Sequence, residues 1–322
     1  MDKEHRKTAL RITGWILALV IVVRVGASLT RGLEELRAHP VGARPDWMLL
    51  TTSAATFLAA HAVLVLTWKS VLATWDEHLP FWTAARIWSV SNLGRYVPGK
   101  VWQIGVMGAM ARDARVSPLA ASASALLGTL VNILAGFVIA LVSGRLLLER
   151  TAHGGGAVAA WLIALSVAGL LVSPWLVPRL AKTASRLLRR EISATLPVRA
   201  VVYAMLGNLA AWLIYGLAFR LFVSGLLGAV SGSYSAYVAA YTISYLVGYI
   251  VLFAPAGIGA REGAMLELLQ VAGLASYPQA TLVTIASRVW LTLLEIAPAL
   301  CFLLYHRLRR RSLSREDADA VI

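Results

Sequence analysis

Residues 253–267 read FAPAGIGAREGAMLE, and this stretch decides the fold. A long apolar run ends at Pro255, two glycines follow at Gly257 and Gly259, Arg261 and Glu262 stand side by side, and an apolar helical pattern resumes. Proline suits the first turn of a helix, because its missing N–H would be unpaired there in any case. The pattern predicts a broken helix inside a membrane, with a new helix beginning near Gly257. The free N–H groups at such a start carry partial positive charge. Arg261 adds a full positive charge in the first turn, where the helix dipole disfavours a cation. In apolar surroundings that arrangement is costly unless an anion sits there. The stretch is therefore expected to hold an anion site for a phosphate or carboxylate. The competing reading is a helix kink with Arg261 and Glu262 paired to neighbours.

Composition sets the surroundings. The 322 residues are 59% hydrophobic and 14% charged, with a mean hydropathy of +0.72. That is the balance of a polytopic membrane protein. The net charge of +14 sits in short loops and tails between apolar runs, which is the positive-inside pattern and not a nucleic-acid surface. No nucleic acid partner is expected. The single cysteine, Cys301, excludes an intrachain disulfide and a cysteine metal cluster. The histidines show no pair at ligand spacing, and the glycines at 154–156 lack the Lys-Ser/Thr of a phosphate loop. No metal and no cofactor are expected. The Ala- and Arg-rich usage points to a bacterium.

The chain reads as an all-α polytopic membrane protein. Apolar runs of roughly 20 residues predict spanning helices at 10–29, 47–68, 119–143, 157–178, 200–223 and 280–304. The first is expected to be retained, since no A-x-A cleavage pattern follows it. Two regions, 81–110 and 234–272, are interrupted by Pro, Gly and charges and predict re-entrant helical hairpins. Charge placement supports that choice. The basic N-terminus, the basic loop 179–199 and the Arg-rich tail 305–322 all fall on the cytoplasmic side only if both hairpins return to the side they entered. The whole chain, 1–322, is then one membrane domain in two inverted halves, about 10–143 and 157–304. Inverted repeats with broken helices near the bilayer centre are a recurrent transporter design. The segment 179–196 is expected to lie on the inner leaflet, where its cations favour anionic lipids. Trp68, Trp75, Trp82, Trp88 and Trp102 read as an interfacial belt.

The first hairpin repeats the grammar of the second. Ser91 to Gln103 reads SNLGRYVPGKVWQ, with Arg95, then Pro98-Gly99, then Lys100 at an expected helix start. Two cationic helix starts in inverted positions point to a shared anionic substrate. Glu267, Arg288 and Glu295 are further charges expected at depth, each costing about 2.5–3.5 kcal/mol if it faced lipid at the centre. Arg288 is expected either to pair with Glu262 or to complete the anion site, and Glu295 either to balance a cation or to lie at the interface. Asn132 and Asn208 are expected to make interhelical hydrogen bonds.

These stretches resemble the lysylphosphatidylglycerol synthase transmembrane-region family, also called the flippase-like domain family. The residues that carry the resemblance are Asn92 with Gly94-Arg95-Tyr96-Val97-Pro98-Gly99-Lys100, the run Pro255 to Gly263, and Arg288. The chain departs from the family pattern at Ala256, where a glycine is common, and at Gln103, near where many members carry a glutamate. An arginine that often follows a little later is missing. The resemblance implies a stand-alone membrane half without a synthase domain, and movement of a lipid between leaflets. The expected substrate-binding set is Asn92, Arg95, Pro98, Gly99, Lys100, Gln103, Gly257, Gly259, Arg261, Glu262, Arg288 and Glu295. Arg95, Lys100 and Arg261 would hold a phosphate, with Glu262 orienting Arg261 or binding an amine on the headgroup.

The function expected from these residues is a lipid translocase in a bacterial inner membrane, with both termini cytoplasmic. Its cargo would be an anionic or aminoacylated phospholipid or a polyprenyl-linked lipid. Its partners would be membrane lipids, with a second copy or a lipid or glycan biosynthesis protein as further candidates. The alternatives are a polyprenyl-phosphate glycosyltransferase and a non-transporting subunit of an assembly system. The enzyme reading lacks named acid, base and electrophile, since Asp76-Glu77 is the one acidic pair at a helix end and has no supporting motif.

Overall fold

The structure is a computed structural model that describes residues 44–96, 102–151, 197–228, 231–250 and 257–319, with 30 and 34 besides; the side chains of 145–151, 250 and 309–319 lie outside the description. The long helices are α1 (Trp47–Ala73), α4 (Pro118–Thr151), α5 (Val198–Leu227) and α8 (Tyr277–Asp319). The short helices are α2 (Phe81–Asn92), which ends in a 3₁₀ turn at Leu93–Tyr96, α3 (Trp102–Asp113), α6 (Tyr234–Ile250) and α7 (Ala260–Val271).

Four of these helices are long and apolar enough to cross a membrane: Trp47–Ala73, Pro118–Gly144, Val198–Leu227 and Tyr277–Leu308. At 1.5 Å per residue the shortest is roughly 40 Å long, more than the ~30 Å hydrocarbon core requires. Their outer faces carry exposed leucines, including Leu58, Leu66, Leu126, Leu206 and Leu293. The chain is a membrane protein. These helices coincide with the spans predicted at 47–68, 119–143, 200–223 and 280–304. The described residues therefore hold four helices of spanning length against six spans expected; those expected at 10–29 and 157–178 lie outside the described residues.

The two interrupted regions form the helix pairs α2–α3 and α6–α7. In the second pair the helices run antiparallel, with Ser244 beside Met265 and Gly248 beside Arg261. The new helix begins at Ala260, three residues later than the Pro-Gly pattern suggests. Gly257 and Gly259 both take positive φ, at 71° and 88°, so the chain makes a left-handed turn before helical geometry starts. Gly257 also lies against backbone: a Cβ there would stand 2.7 Å from the Gly248 Cα.

Packing is centred on α1 against α5, with α4 and α6 closing over them. Phe57, Trp212, Tyr215, Phe219 and Tyr241 form a connected aromatic core. Helix α8 packs mainly against α2 and α7. It contains Pro298, which cannot donate to the Leu294 carbonyl one turn earlier.

The aromatic belt is only partly observed. Trp82 is 72% exposed and Trp102 also faces outward. Trp68 is instead buried, and its indole N–H donates to Ser124 Oγ at 2.8 Å. Trp88 packs beside it with ring centroids 6.0 Å apart. A buried indole needs a partner for its N–H, and Ser124 on α4 supplies one that an interface position would take from water.

The glycine contact gives a test. Gly257→Ala places a side chain at positive φ and against Gly248. The two effects together are expected to destabilise by about 2–4 kcal/mol. Thermal unfolding of the detergent-purified protein should show a clear fall in midpoint, whereas Gly273→Ala, also at positive φ but in open space, should fall by less.

Candidate functional site

Between these helices lies a cavity of about 160 Å³. Asn92, Arg95, Gln103, Gly257, Arg261, Arg288 and Glu295 all line it. Residues from two hairpins and the last helix, scattered over 200 positions of sequence, thus share one space. Gly259 and Glu262 are not among the residues that line it. Pro98, Gly99 and Lys100 lie outside the described residues.

The first hairpin contributes a pinned tip. Arg95 sits in the 3₁₀ turn that ends α2, and its Nη1 donates to Glu295 Oε1 at 2.9 Å. Its Nη2 donates to Asn92 Oδ1 at 3.2 Å. Tyr96 donates its hydroxyl to Glu295 Oε2 at 2.7 Å, and Gln103 Nε2 donates to Asn92 Oδ1 at 2.5 Å. Gly94 lets the returning chain close on this knot, since a Cβ there would meet the Gln103 nitrogen at 2.6 Å. Arg95 is therefore committed to a carboxylate in this structure.

The second hairpin places Arg261 and Glu262 in the first turn of α7. Arg261 is 8% exposed. Its guanidinium lies over the rings of Tyr241 and Tyr245, 5.5 and 5.2 Å from their centroids. Both tyrosines come from one face of α6, four residues apart, and ring quadrupoles attract a desolvated cation. Arg261 Nη2 is buried without a hydrogen-bond partner among the described residues. Glu262 accepts from the Gly259 N–H at 2.6 Å and stands 3.3 Å from Arg288 Nη1. Its carboxylate closes the helix start and pairs with Arg288, in place of the orienting role towards Arg261 that the sequence suggests. A carboxylate in a first turn meets the free N–H groups favourably, which explains the choice.

Charges at the site are unequal. Arg95 has Glu295 and Arg288 has Glu262, while Arg261 has aromatic faces and no carboxylate in contact among the described residues. A buried arginine with an unpaired N–H, on a residue that lines a cavity, has the hydrogen-bonding capacity that an anion would use.

The other cavity walls are neutral. Asn132 Nδ2 donates to Asn208 Oδ1 at 2.7 Å, the interhelical bond that the sequence suggests, and Asn208 Nδ2 donates to the Ala204 carbonyl. Both asparagines also line the cavity, as do Trp68, Trp88, Tyr245 and Tyr249. These aromatic residues escape a search for charges. Their signal in the sequence is the recurrence of Tyr241, Tyr245 and Tyr249 at four-residue spacing, which marks one helix face.

Two acidic features fall away. Glu267 is exposed on α7. Glu77 accepts from the Ser117 N–H at 3.1 Å, just before α4, so Asp76-Glu77 belongs to a structural turn. The chain matches no protein-family model, and no curated protein matches it in sequence.

The Arg95–Glu295 pair is mostly buried, and removing one member leaves the other uncompensated. Breaking a fully buried pair costs about 3–5 kcal/mol, and the partial exposure here reduces that. Arg95→Gln and Glu295→Gln should each lower the thermal midpoint in detergent. The double variant should lie well above the sum of the two losses, with a coupling of about 1–3 kcal/mol. Additive losses would mean that the two side chains do not act as a pair.

Proposed function

We propose that the chain is a lipid translocase that passes an anionic headgroup through this cavity while the acyl or prenyl tails stay in the bilayer. The observation that carries the reading is Arg261: a buried guanidinium over two tyrosines, with an Nη2 that has no hydrogen-bond partner among the described residues, on a residue that lines a cavity between apolar helices. Intramembrane ionisable residues that face a cavity mark substrate pathways. Helix breaks that line such a cavity are where transporters bind their substrates. The described residues of the two motifs that resemble the flippase-like domain family include Asn92, Arg95 and Tyr96 from the first and Gly257 and Arg261 from the second, all of which line this space, which supports the same reading.

In this scheme Arg261 and Arg288 receive the phosphate. Arg95 is released from Glu295 when a headgroup competes for it. The two inverted halves, 10–143 and 157–304, rock about the site, with six crossings, both hairpins re-entrant and both termini cytoplasmic in a bacterial inner membrane. No ATP-binding motif is expected in the sequence, so exchange runs downhill or with an ion.

Leaflet exchange in proteoliposomes tests this. Labelled anionic, aminoacylated and polyprenyl-phosphate lipids are loaded, and wild type is compared with Arg261→Gln. Loss of a charge-assisted hydrogen bond corresponds to about tenfold or more, so exchange should slow by at least that factor. Equal exchange by the two proteins would remove Arg261 from the path. Absence of any exchange by well-folded wild type would remove the translocase reading.

A further inference from the structure

The cavity has two chemically different sides. The charges all come from the 3₁₀ turn, the start of α7 and α8, as Arg95, Arg261, Arg288 and Glu295. The walls contributed by α1, α4 and α5 are uncharged: Thr67 and Trp68, then Ser124, Thr129 and Asn132, then Asn208. Trp88 adds a second indole beside Trp68.

The one carboxylate that lines the cavity among the described residues, Glu295, is already engaged by Arg95 and Tyr96. Glu262 is not among the lining residues; its Oε2 accepts from the Gly259 N–H and its Oε1 stands 3.3 Å from Arg288 Nη1. An ammonium group entering the cavity would meet three lining guanidinium groups, and the lining carboxylate among the described residues, Glu295, is already taken. Like charge in a desolvated space is strongly unfavourable.

The unused hydrogen-bonding atoms suit a different group. The Trp88 indole N–H is buried with no acceptor among the described residues. The Asn132 Nδ2 is spent on Asn208, while its Oδ1 accepts no hydrogen bond from the described residues. A hydroxyl both donates and accepts, so hydroxyls satisfy an indole donor and an amide acceptor together. The C–H faces of a ring polyol stack on aromatic faces such as those of Trp68 and Trp88. Amides, hydroxyls and indoles around a neutral pocket, beside an arginine for phosphate, are complementary to a phosphorylated polyol.

We propose that the headgroup carried through this cavity is a phosphate bearing an uncharged polyol, a sugar or cyclitol ring, and not an aminoacyl group. This rests on the translocase reading for transport, but the site assignment itself needs only binding. The experiment therefore has two arms. The full-length protein in detergent is offered equal amounts of phosphatidylinositol and lysylphosphatidylglycerol, and retained lipid is measured by native mass spectrometry. The same two lipids, fluorescently labelled, are followed in proteoliposome exchange. Wild type is compared with Trp88→Phe, which keeps an aromatic ring and removes the N–H. Thermal unfolding checks that the variant is folded.

Wild type should favour the inositol lipid by about tenfold or more in retention, since a site built to hydrogen-bond hydroxyls discriminates against groups that leave it unpaired. Trp88→Phe should reduce that ratio severalfold. Retention of the lysyl lipid equal to or above that of the inositol lipid overturns the proposal, and it leaves the translocase reading intact if both are exchanged. A ratio unchanged in Trp88→Phe also overturns the assignment to this wall. Selective retention of the inositol lipid with no exchange of either lipid supports the site and removes the transport reading. Retention of neither overturns the proposal.

Discussion

A charge taken out of water must be matched, and the Arg95–Glu295 pair is where this fold meets that requirement most directly. The pair joins the tip of the first hairpin to the last long helix across 200 residues of sequence. Asn92, Tyr96 and Gln103 are arranged around it by hydrogen bonds. The 3₁₀ turn it anchors is not regular helix, and such a turn depends on side chains to hold its shape. The ion pair thus does more than neutralise two groups. It fixes the turn, and with it the shape of one end of the cavity.

The second hairpin reaches a similar result by other means. Its turn is closed by backbone on backbone, Gly257 against Gly248, and by a carboxylate folded onto its own helix start. Its arginine is held by tyrosine faces and has no carboxylate beside it. One tip is locked electrostatically and the other sterically. The two arginines therefore differ in availability although their sequence settings look alike: Arg95 is satisfied, and Arg261 has an N–H to spare.

Much of the architecture was legible in the sequence because hydrophobic length is a one-dimensional signal. Each of the spans predicted at 47–68, 119–143, 200–223 and 280–304 needs only its own residues to be recognised. The broken regions were legible for the same reason, through Pro, Gly and charge. Partnership is a three-dimensional property, and there the sequence was less informative. It placed Arg288 and Glu262 among several options without choosing between them. It put Trp68 and Trp88 at an interface, because tryptophan next to a span end usually belongs there; Trp68 is instead buried with its N–H on Ser124 of α4, some fifty residues away, and Trp88 packs on Trp68. The start of α7 shifted to Ala260 because a proline-glycine pattern shows that a helix is broken without showing which glycine takes a left-handed turn.

Pro298 gives the last helix a mechanical character. One rung of its hydrogen-bond ladder is missing just beyond Glu295, so bending resistance is lowest there. The first hairpin lies across that weak point and holds both sides of it. Arg95 and Tyr96 grip Glu295 before the proline, while Arg86 reaches His306 at 3.2 Å and Trp82 meets Phe302 beyond it. The hairpin acts as a splint across a scored beam. Stiffness at this end of the molecule is then borrowed from side chains, and a ligand that loosens the grip on Glu295 softens a helix without touching its backbone.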